Sequence, residues 1–421
     1  MADLLPLEEA LAVMIDSVSP LDAVDLPLLQ CDGLVLAQDV IAQRTQPPSA
    51  VSAMDGYALP IEPSSGQRFE VLGEVPAGGH WAGTVGAGQA VRIFTGAPVP
   101  AGASHVLIQE DAVKDGAFIT VGERAGSGAN IRPAGGDFSE GDRLLRKGMR
   151  LTPQKLALAA SGDHGSLNVQ SRPTVTILMN GDELRWPQGG GPFVATKTPF
   201  VATEQSSCRD KSEDGSAIVA SNGFGVATLA ERFGGKLVKL DLIADDRDAL
   251  GDAIACSGAD LLVTIGGTSV GDYDLVRPAL EENGYALSFP KVALRPGKPT
   301  IFGTRKNSGG SAYVLGLPGN PVSALVSAMI FMRPLIAALS GRSEPLLPLE
   351  DAIVGAPVPS NGPRAHFMRA RRLPDGSYAP VTSQDSSLLQ LLSDADALLY
   401  RPSGANVLAV GTSCEIMPLP L

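Results

Sequence analysis

From Pro173 onward the hydrophobic pattern changes, and that change constrains the fold more than any other feature of the chain. Thr174 to Met179 is a continuous apolar, β-rich run. A helical segment follows at Ser221 to Phe233, then a strand at Lys236 to Leu240. Next come a helix at Asp248 to Cys256, a strand at Asp260 to Ile265 and a helix at Leu275 to Asn283. Apolar strands alternating with helices predict βαβ units and a parallel sheet covered on both faces. Asn320-Pro321 then caps and opens a long helix over Val322 to Leu339, which Pro334 is expected to kink.

The rest of the chain is cut differently. Leu7, Leu11, Met14 and Val18 recur at helical spacing, and Thr152-Pro153 starts a second helix that stops at Gly162. Between these helices, Val40 to Gly141 is rich in glycine and proline. Its strands are short: Phe69 to Leu72, Ala90 to Phe94, Val106 to Ile108 and Ala117 to Val121. The pattern predicts a small β module inserted between helical segments. The tail from Pro345 to Leu421 returns to short strands and turns, a second β-rich domain. Gln188 to Ser216 is polar and glycine-rich, which predicts a mobile surface insertion.

Composition removes several functions. With 421 residues there is room for several domains, and 44% hydrophobic with 19% charged residues is a globular profile. The net charge of −12 argues against a general nucleic-acid role but not against a small anionic ligand held by a local basic cluster. Cys31, Cys208, Cys256 and Cys414 form no CxxC pair, so buried, reduced thiols in a cytoplasmic protein are expected, without a zinc site. Met1 to Ala12 has no basic signal-peptide region, and the apolar stretch Ala324 to Met332 is shorter than a membrane span.

The residues able to carry chemistry collect at strand ends. Leu261 to Asp274 reads LLVTIGGTSVGDYD, a buried strand running into Gly266, Gly267, Ser269, Gly271 and Asp274. In an open α/β sheet ligands bind outside the carboxyl ends of the strands, and glycines there let backbone N–H groups approach a phosphate. Asp182 and Glu183 follow the first strand of this sheet, and Asp245-Asp246 the second. Carboxylates converging from three strands suggest Mg²⁺ shared with a phosphate, and Asp274 could hold a cation there; each acid taken singly is more often a helix cap. Lys291, Arg295 and Lys298, in KVALRPGKP, form a proline-stiffened anion clamp or, taken alone, a solvated basic turn. Pro318, Gly319, Asn320 and Pro321 place a rigid turn before a helix N-terminus, a second anion site. In the inserted module, Asp55 sits in SAMDGY and Thr95 in RIFTGAP. His80, His105, His164 and His366 show no metal-ligand spacing, and no G-x-S-x-G elbow is present.

Seven segments in order, SAMDGYA, RIFTGAPVP, NIRPAGGDFSEGD, NGDEL, GGTSVGDYD, KVALRPGKP and GLPGNPVSA, resemble the MoeA family, which includes the C-terminal domain of gephyrin. The resemblance covers nearly the whole chain. It implies a multi-domain α/β plus β protein. The domains would be a helical linker of 1–40 with 142–170, an inserted β-rich domain of 41–141, a three-layer α/β/α molybdopterin-binding domain of 171–340 and a C-terminal β-barrel-like domain of 341–421. It further implies a homodimer whose active site lies between the α/β domain of one subunit and the β module of its partner. Members take adenylylated molybdopterin and molybdate, give molybdenum cofactor and AMP with Mg²⁺ present, and receive substrate from a molybdopterin adenylyltransferase. In that pattern Asp55, Thr95, Asp137, Glu183 and Asp274 match catalytic positions, and Glu183, Asp245 and Asp274 would hold the metal. Lys291, Arg295, Lys298, Arg369 and Ser386 match pterin or molybdate positions.

Three features depart from the family. Asn180 stands where threonine is frequent, the segment after Glu183 is longer, and Gln384-Asp385-Ser386 puts an acid where glycine is usual. Two other functions compete with a transferase. A non-catalytic molybdopterin-binding scaffold would need extra binding segments, for which only Gln188 to Ser216 is a candidate. A nucleotide hydrolase of the competence-damage type would lack the inserted module and the tail.

Overall fold

The computed structural model describes residues 4–123, 126, 128–195, 217–267, 275–289, 291–307, 310–342 and 346–420. The chain separates into two compact units. The larger comprises Met1–Val24, Gly33–Val35 and Gln170–Leu421, the smaller Asp25–Asp32 and Leu36–Val169.

In the larger unit a seven-stranded sheet runs in the order Phe193–Val194, Lys236–Ile243, Thr174–Asn180, Leu261–Ile265, Gly310–Leu317, Ile301–Asn307, Ala286–Phe289. The second to fifth of these are parallel, and the others pair antiparallel. Side-chain alternation sends Val175, Ile177 and Met179 to one core and Leu178 to another. The first core holds the helices Leu7–Asp16, Asn222–Arg232 and the run from Pro321 to Leu339; the second holds Arg247–Ala255 and Val276–Glu282. Helices thus cover both faces, which is why the strands are apolar throughout. The N-terminal helix buries Leu7, Leu11 and Met14 as its spacing requires, while Val18 lies beyond its end.

The helix after Asn320 differs from expectation in three ways. Asn320 makes no side-chain cap bond. The helix does not simply kink at Pro334: Pro321–Ser327 and Arg333–Leu339 are joined by a π-helical turn, Ala328–Met332, just ahead of the proline that cannot donate its N–H. It is also long and apolar enough to cross a membrane, because it carries on through Arg333 and Pro334. The helix has 19 residues, and an 18-residue window of it has a mean hydropathy of 1.9, but 83% of that window is buried in the protein as a core helix. Thr152 likewise forms no side-chain cap. Cys256 is exposed, against the expectation of buried thiols; Cys31 and Cys414 are buried, and Cys208 lies outside the described residues.

A second sheet of the larger unit orders Leu294–Arg295, Ala365–Arg372, Ala397–Arg401, Ser413–Pro418 and Glu350–Ile353, with Tyr378–Pro380 also on Ala365–Arg372. Part of KVALRPGKP is therefore a strand of the C-terminal sheet. Of Gln188 to Ser216, Phe193–Val194 forms an edge strand; 196–216 lie outside the described residues.

The smaller unit is built on a six-stranded sheet, ordered His105–Ile108, Gly56–Leu59, Gln89–Ile93, Arg68–Val75, Phe118–Val121, Ala112–Asp115. Tyr57, Leu59 and Phe69 pack on one face, and Ala58, Val75 and Val91 on the other.

Candidate functional site

The four parallel strands set the position of the site. Taken in chain order they stand 2-1-3-4 in the sheet, so the chain goes from the first strand to one side and then crosses back past it to the third strand on the other. The crevice at such a switch point, at the carboxyl ends of the strands, is where open α/β sheets bind ligands. Here those ends are Asn180 and Ile265, and a cavity of about 650 Å³ opens there. Its lining includes Asn180, Gly181, Glu183, Asp245, Gly266, Gly267, Pro299 and Pro318 to Pro321. Ser269, Gly271 and Asp274 lie outside the described residues.

Two glycines allow the strand ends to meet. A Cβ on Gly266 would stand 2.5 Å from the carbonyl oxygen of Asn180, and one on Gly267 would stand 2.5 Å from Val276 Cγ2 and 2.7 Å from Asn180 Oδ1. Both also have positive φ, 92° and 64°. The N–H of Gly266 donates to Leu317, so it is committed to the fold.

The acids are sorted by their donors. Asp246 is the N-cap of Arg247–Ala255, accepting from the N–H of Ala249 at 2.8 Å. Asp245 turns to the cavity. Its Oδ1 accepts from Asn180 Nδ2 at 2.6 Å and its Oδ2 from the N–H of Asp182 at 3.1 Å. Asp182 returns the contact, accepting from the N–H of Asp245 at 3.2 Å. Asn180, the departure from the usual threonine, thereby orients Asp245; its own Oδ1 is buried without a partner. The carboxylate of Glu183 lies over Gly181, within 3 Å of where a Cβ there would stand. No group of three or more metal-ligating side chains occurs among the described residues. Glu183 and Asp245 are nevertheless hard oxygen donors on one cavity, the chemistry Mg²⁺ takes when substrate phosphates and water complete its shell.

The turn before Pro321 is not the open anion site its sequence predicts. Pro321 has no N–H, and that of Val322 donates to the carbonyl of Ser386. Asn320 Nδ2 donates to Ser386 Oγ at 3.1 Å, which ties this loop to the turn, and the next residue, Ser387, lines the cavity. Arg369 supports this loop from behind. It is 1% exposed; Nη1 donates to Leu388 and Nη2 to Ser383, each at 3.0 Å, and Nε reaches Gln384 Oε1. Burial lowers its pKa. Asp385 points elsewhere: the N–H of Ser387, then its hydroxyl, donate to Oδ1 and hold the carboxyl below the usual range. Lys298 is exposed beside Pro299, Lys291 is half-buried, and Arg295 is exposed on the C-terminal sheet.

In the smaller unit Asp55 Oδ1 accepts from both the N–H and the hydroxyl of Thr95, at 2.7 and 2.8 Å, which lowers its pKa. Asp137 lines a separate cavity of about 720 Å³ with Arg44 and Arg132, neither of which the motif reading selected. Sequence reading also missed Asn222, whose Nδ2 donates to the carbonyl of Gly319 at 2.6 Å and fixes the turn. Its position at the start of a helix was the available signal.

A cavity at the switch point of an open α/β sheet, edged by glycines and carboxylates, defines a small-ligand-binding α/β unit set among β-rich segments. The profile of the MoeA N-terminal region (domain I and II) matches residues 5–162, that of a probable molybdopterin binding domain residues 176–338, and that of the MoeA C-terminal region (domain IV) residues 351–419. The molybdopterin molybdenumtransferase of Synechococcus elongatus is 32% identical over 416 residues, 95% of each chain. That of Haemophilus influenzae is 33% identical over 346 residues, 81% of this chain and 79% of its own. A crystal structure of the molybdopterin biosynthesis MoeA protein from Pyrococcus horikoshii superposes with a TM-score of 0.77 at 26% identity, covering 99% of each chain. The chain belongs to the MoeA family.

Proposed function

We propose that this chain is a molybdopterin molybdenumtransferase acting in molybdenum cofactor biosynthesis. Adenylylated molybdopterin and molybdate are its substrates, and molybdenum cofactor and AMP its products. The observation that carries this reading is the cavity at the switch point. There Glu183 and Asp245 face Gly266, Gly267 and the Pro318 to Pro321 turn, in a chain alignable almost end to end with relatives of that name.

The chemistry asks the protein mainly to position two anions. Glu183 and Asp245, with Asp274, would hold Mg²⁺, which neutralises phosphate charge when bound. The glycines let the phosphoanhydride approach the backbone. Lys298, Lys291 and Ser386 would hold molybdate against the dithiolene sulfurs, while Asp55, Thr95 and Asp137 act from the inserted module. This reading includes a cytoplasmic homodimer supplied by a molybdopterin adenylyltransferase.

The test is AMP release from adenylylated molybdopterin, with and without molybdate and Mg²⁺, for the wild type, Asp245→Ala and Asp274→Ala. Molybdate-dependent release that both substitutions abolish is expected. Tight pterin binding without release under any condition would sink the transferase and favour a carrier or scaffold.

A further inference from the structure

The apolar run Ala324 to Met332 in the core helix is interrupted by one hydroxyl, Ser327. A second hydroxyl, Thr300, stands immediately before the strand Ile301–Asn307 of the main sheet. Both are 0% exposed, and neither lines the cavity. A buried hydroxyl costs stability unless it is hydrogen-bonded, so each needs a partner. They find it in the loop that leads to Thr300. Thr300 Oγ1 donates to the carbonyl of Gly297 at 2.8 Å and lies 3.2 Å from Ser327 Oγ. The Thr300 hydroxyl has one proton and gives it to Gly297, so Ser327 is the donor of the second bond.

This chain of two hydroxyls holds the stretch that carries Lys298. Gly297 approaches the helix so closely that a Cβ there would stand 2.3 Å from Ser327 Oγ. On the far side of Lys298, its own carbonyl accepts from the N–H of Val292 at 2.9 Å. The peptide groups before and after Lys298 are therefore both held, the first by Thr300 and the second by Val292. The lysine side chain is exposed and forms no ion pair among the described residues, so its backbone decides where the ammonium can reach. The next residue, Pro299, lines the cavity. The helix Pro321–Ser327 serves both sides of the arrangement. Its first residue, Pro321, lines the cavity, and its last, Ser327, anchors the two hydroxyls. Seven helical residues, a span of about 10 Å, thus tie the cavity turn to the lysine loop.

We propose that Thr300 and Ser327 are positioning residues for the transferase reaction: their linked hydroxyls fix the peptide before Lys298 and thereby place its ammonium for molybdate. This role rests on the reading of Lys298 as a molybdate ligand, and it makes the lysine's place, not only its charge, a requirement set from inside the core. A pair that merely stabilised the fold would behave differently. Replacing both hydroxyls with apolar groups of similar shape leaves little polarity in the core and costs little stability, but it frees the Gly297 carbonyl to turn. A small displacement of a positioning group is enough to impair binding or reaction.

Thr300→Val, Ser327→Ala, the double variant and Thr300→Ser are compared with the wild type in molybdate-dependent AMP release, in molybdate binding by calorimetry and in urea unfolding. The KM for molybdate is expected to rise roughly tenfold in Thr300→Val and in the double variant, and less in Ser327→Ala, with kcat within about twofold. Thr300→Ser keeps the donor and should recover most of the wild-type KM. Unfolding midpoints that fall while KM stays at the wild-type value would make the pair structural and overturn the proposal. So would an unchanged KM in every variant. A wild type that binds molybdate but releases no AMP sinks the transferase reading instead; the positioning role then stands only if calorimetric affinity drops in Thr300→Val and returns in Thr300→Ser. A wild type that neither releases AMP nor binds molybdate removes both. Ser327→Ala carries the comparison if Thr300→Val does not fold.

Discussion

The carboxyl edge of the parallel sheet and the strand Ala365–Arg372 both concentrate charge, and they manage it in opposite ways. At the edge, Asp182, Asp245 and Asp246 are short side chains held by backbone N–H groups or one amide, and they remain open to solvent. On that strand and the neighbouring Ala397–Arg401, Arg369 and Arg401 are buried to 1% and 3% and give their donors to loop carbonyls. Asp245 therefore faces the cavity as a ligand, while two of the arginines act as internal braces. Cations counted from sequence say how much charge a segment carries, not whether its donors are free.

The sharpest way to break this contrast is at Arg369. Its replacement by alanine leaves the carbonyls of Ser383 and Leu388 without their donors and loosens the loop that presents Ser386 to Asn320. A loss of about 3 kcal/mol or more in urea unfolding is expected. Arg369→Lys should lose nearly as much, because an ammonium cannot span two carbonyls and Gln384 with a planar fork. If lysine restores full stability and molybdate binding, Arg369 is a charge and not a brace.

Next in size is the acid sensitivity of the same strand. The folded value of His366, about 4, lies below its ordinary 6.5. The unfolded chain therefore takes up the proton first. Stability is complete above about 6.5, falls as the pH drops towards 4, and flattens below; the loss from this one ring is roughly 3 kcal/mol. Unfolding midpoints across that range should show the slope, and His366→Gln should remove it.

On the acidic side the effect is smaller and local. Asn180→Leu removes the donor at 2.6 Å that orients Asp245. Divalent-cation affinity, read by Mn²⁺ electron paramagnetic resonance, should fall roughly tenfold, as for other groups that orient metal ligands. Asn180→Thr, the residue frequent in the family, should lose less because a hydroxyl can still donate. Wild-type affinity in Asn180→Leu would show that Asp245 does not hold the cation.

Much of this was legible in sequence because the apolar strands carry their own period. Thr174 to Met179, expected as a strand, runs one residue further to Asn180, and Leu261–Ile265 begins one residue after its expected start. The hairpin Ile301–Asn307 with Gly310–Leu317 escaped because the polar stretch at its turn hides the pairing. Hydrogen-bond partners were not legible at all. Asn320 reads as a cap and instead binds Ser386, and Asp245 and Asp246 read alike although one caps a helix and the other faces the cavity. Those choices depend on residues distant in the chain, which local spacing does not encode.

The smallest expected effect concerns Asp385, the acid that stands where glycine is usual. Proximity in sequence suggests that it repels an oxyanion at Ser386. Its Oδ1, however, accepts from the N–H of Ser387 at 2.9 Å and from its hydroxyl at 2.8 Å, while Ser386 Oγ is held by Asn320. The carboxylate is exposed, so water and salt screen it from its neighbour. Asp385→Gly should therefore change molybdate-dependent AMP release by less than about twofold at ordinary ionic strength, with a slightly larger gain at low salt. A tenfold gain in molybdate affinity would show that the acid faces the ligand after all, and that the loop braced by Arg369 rearranges when the anion arrives.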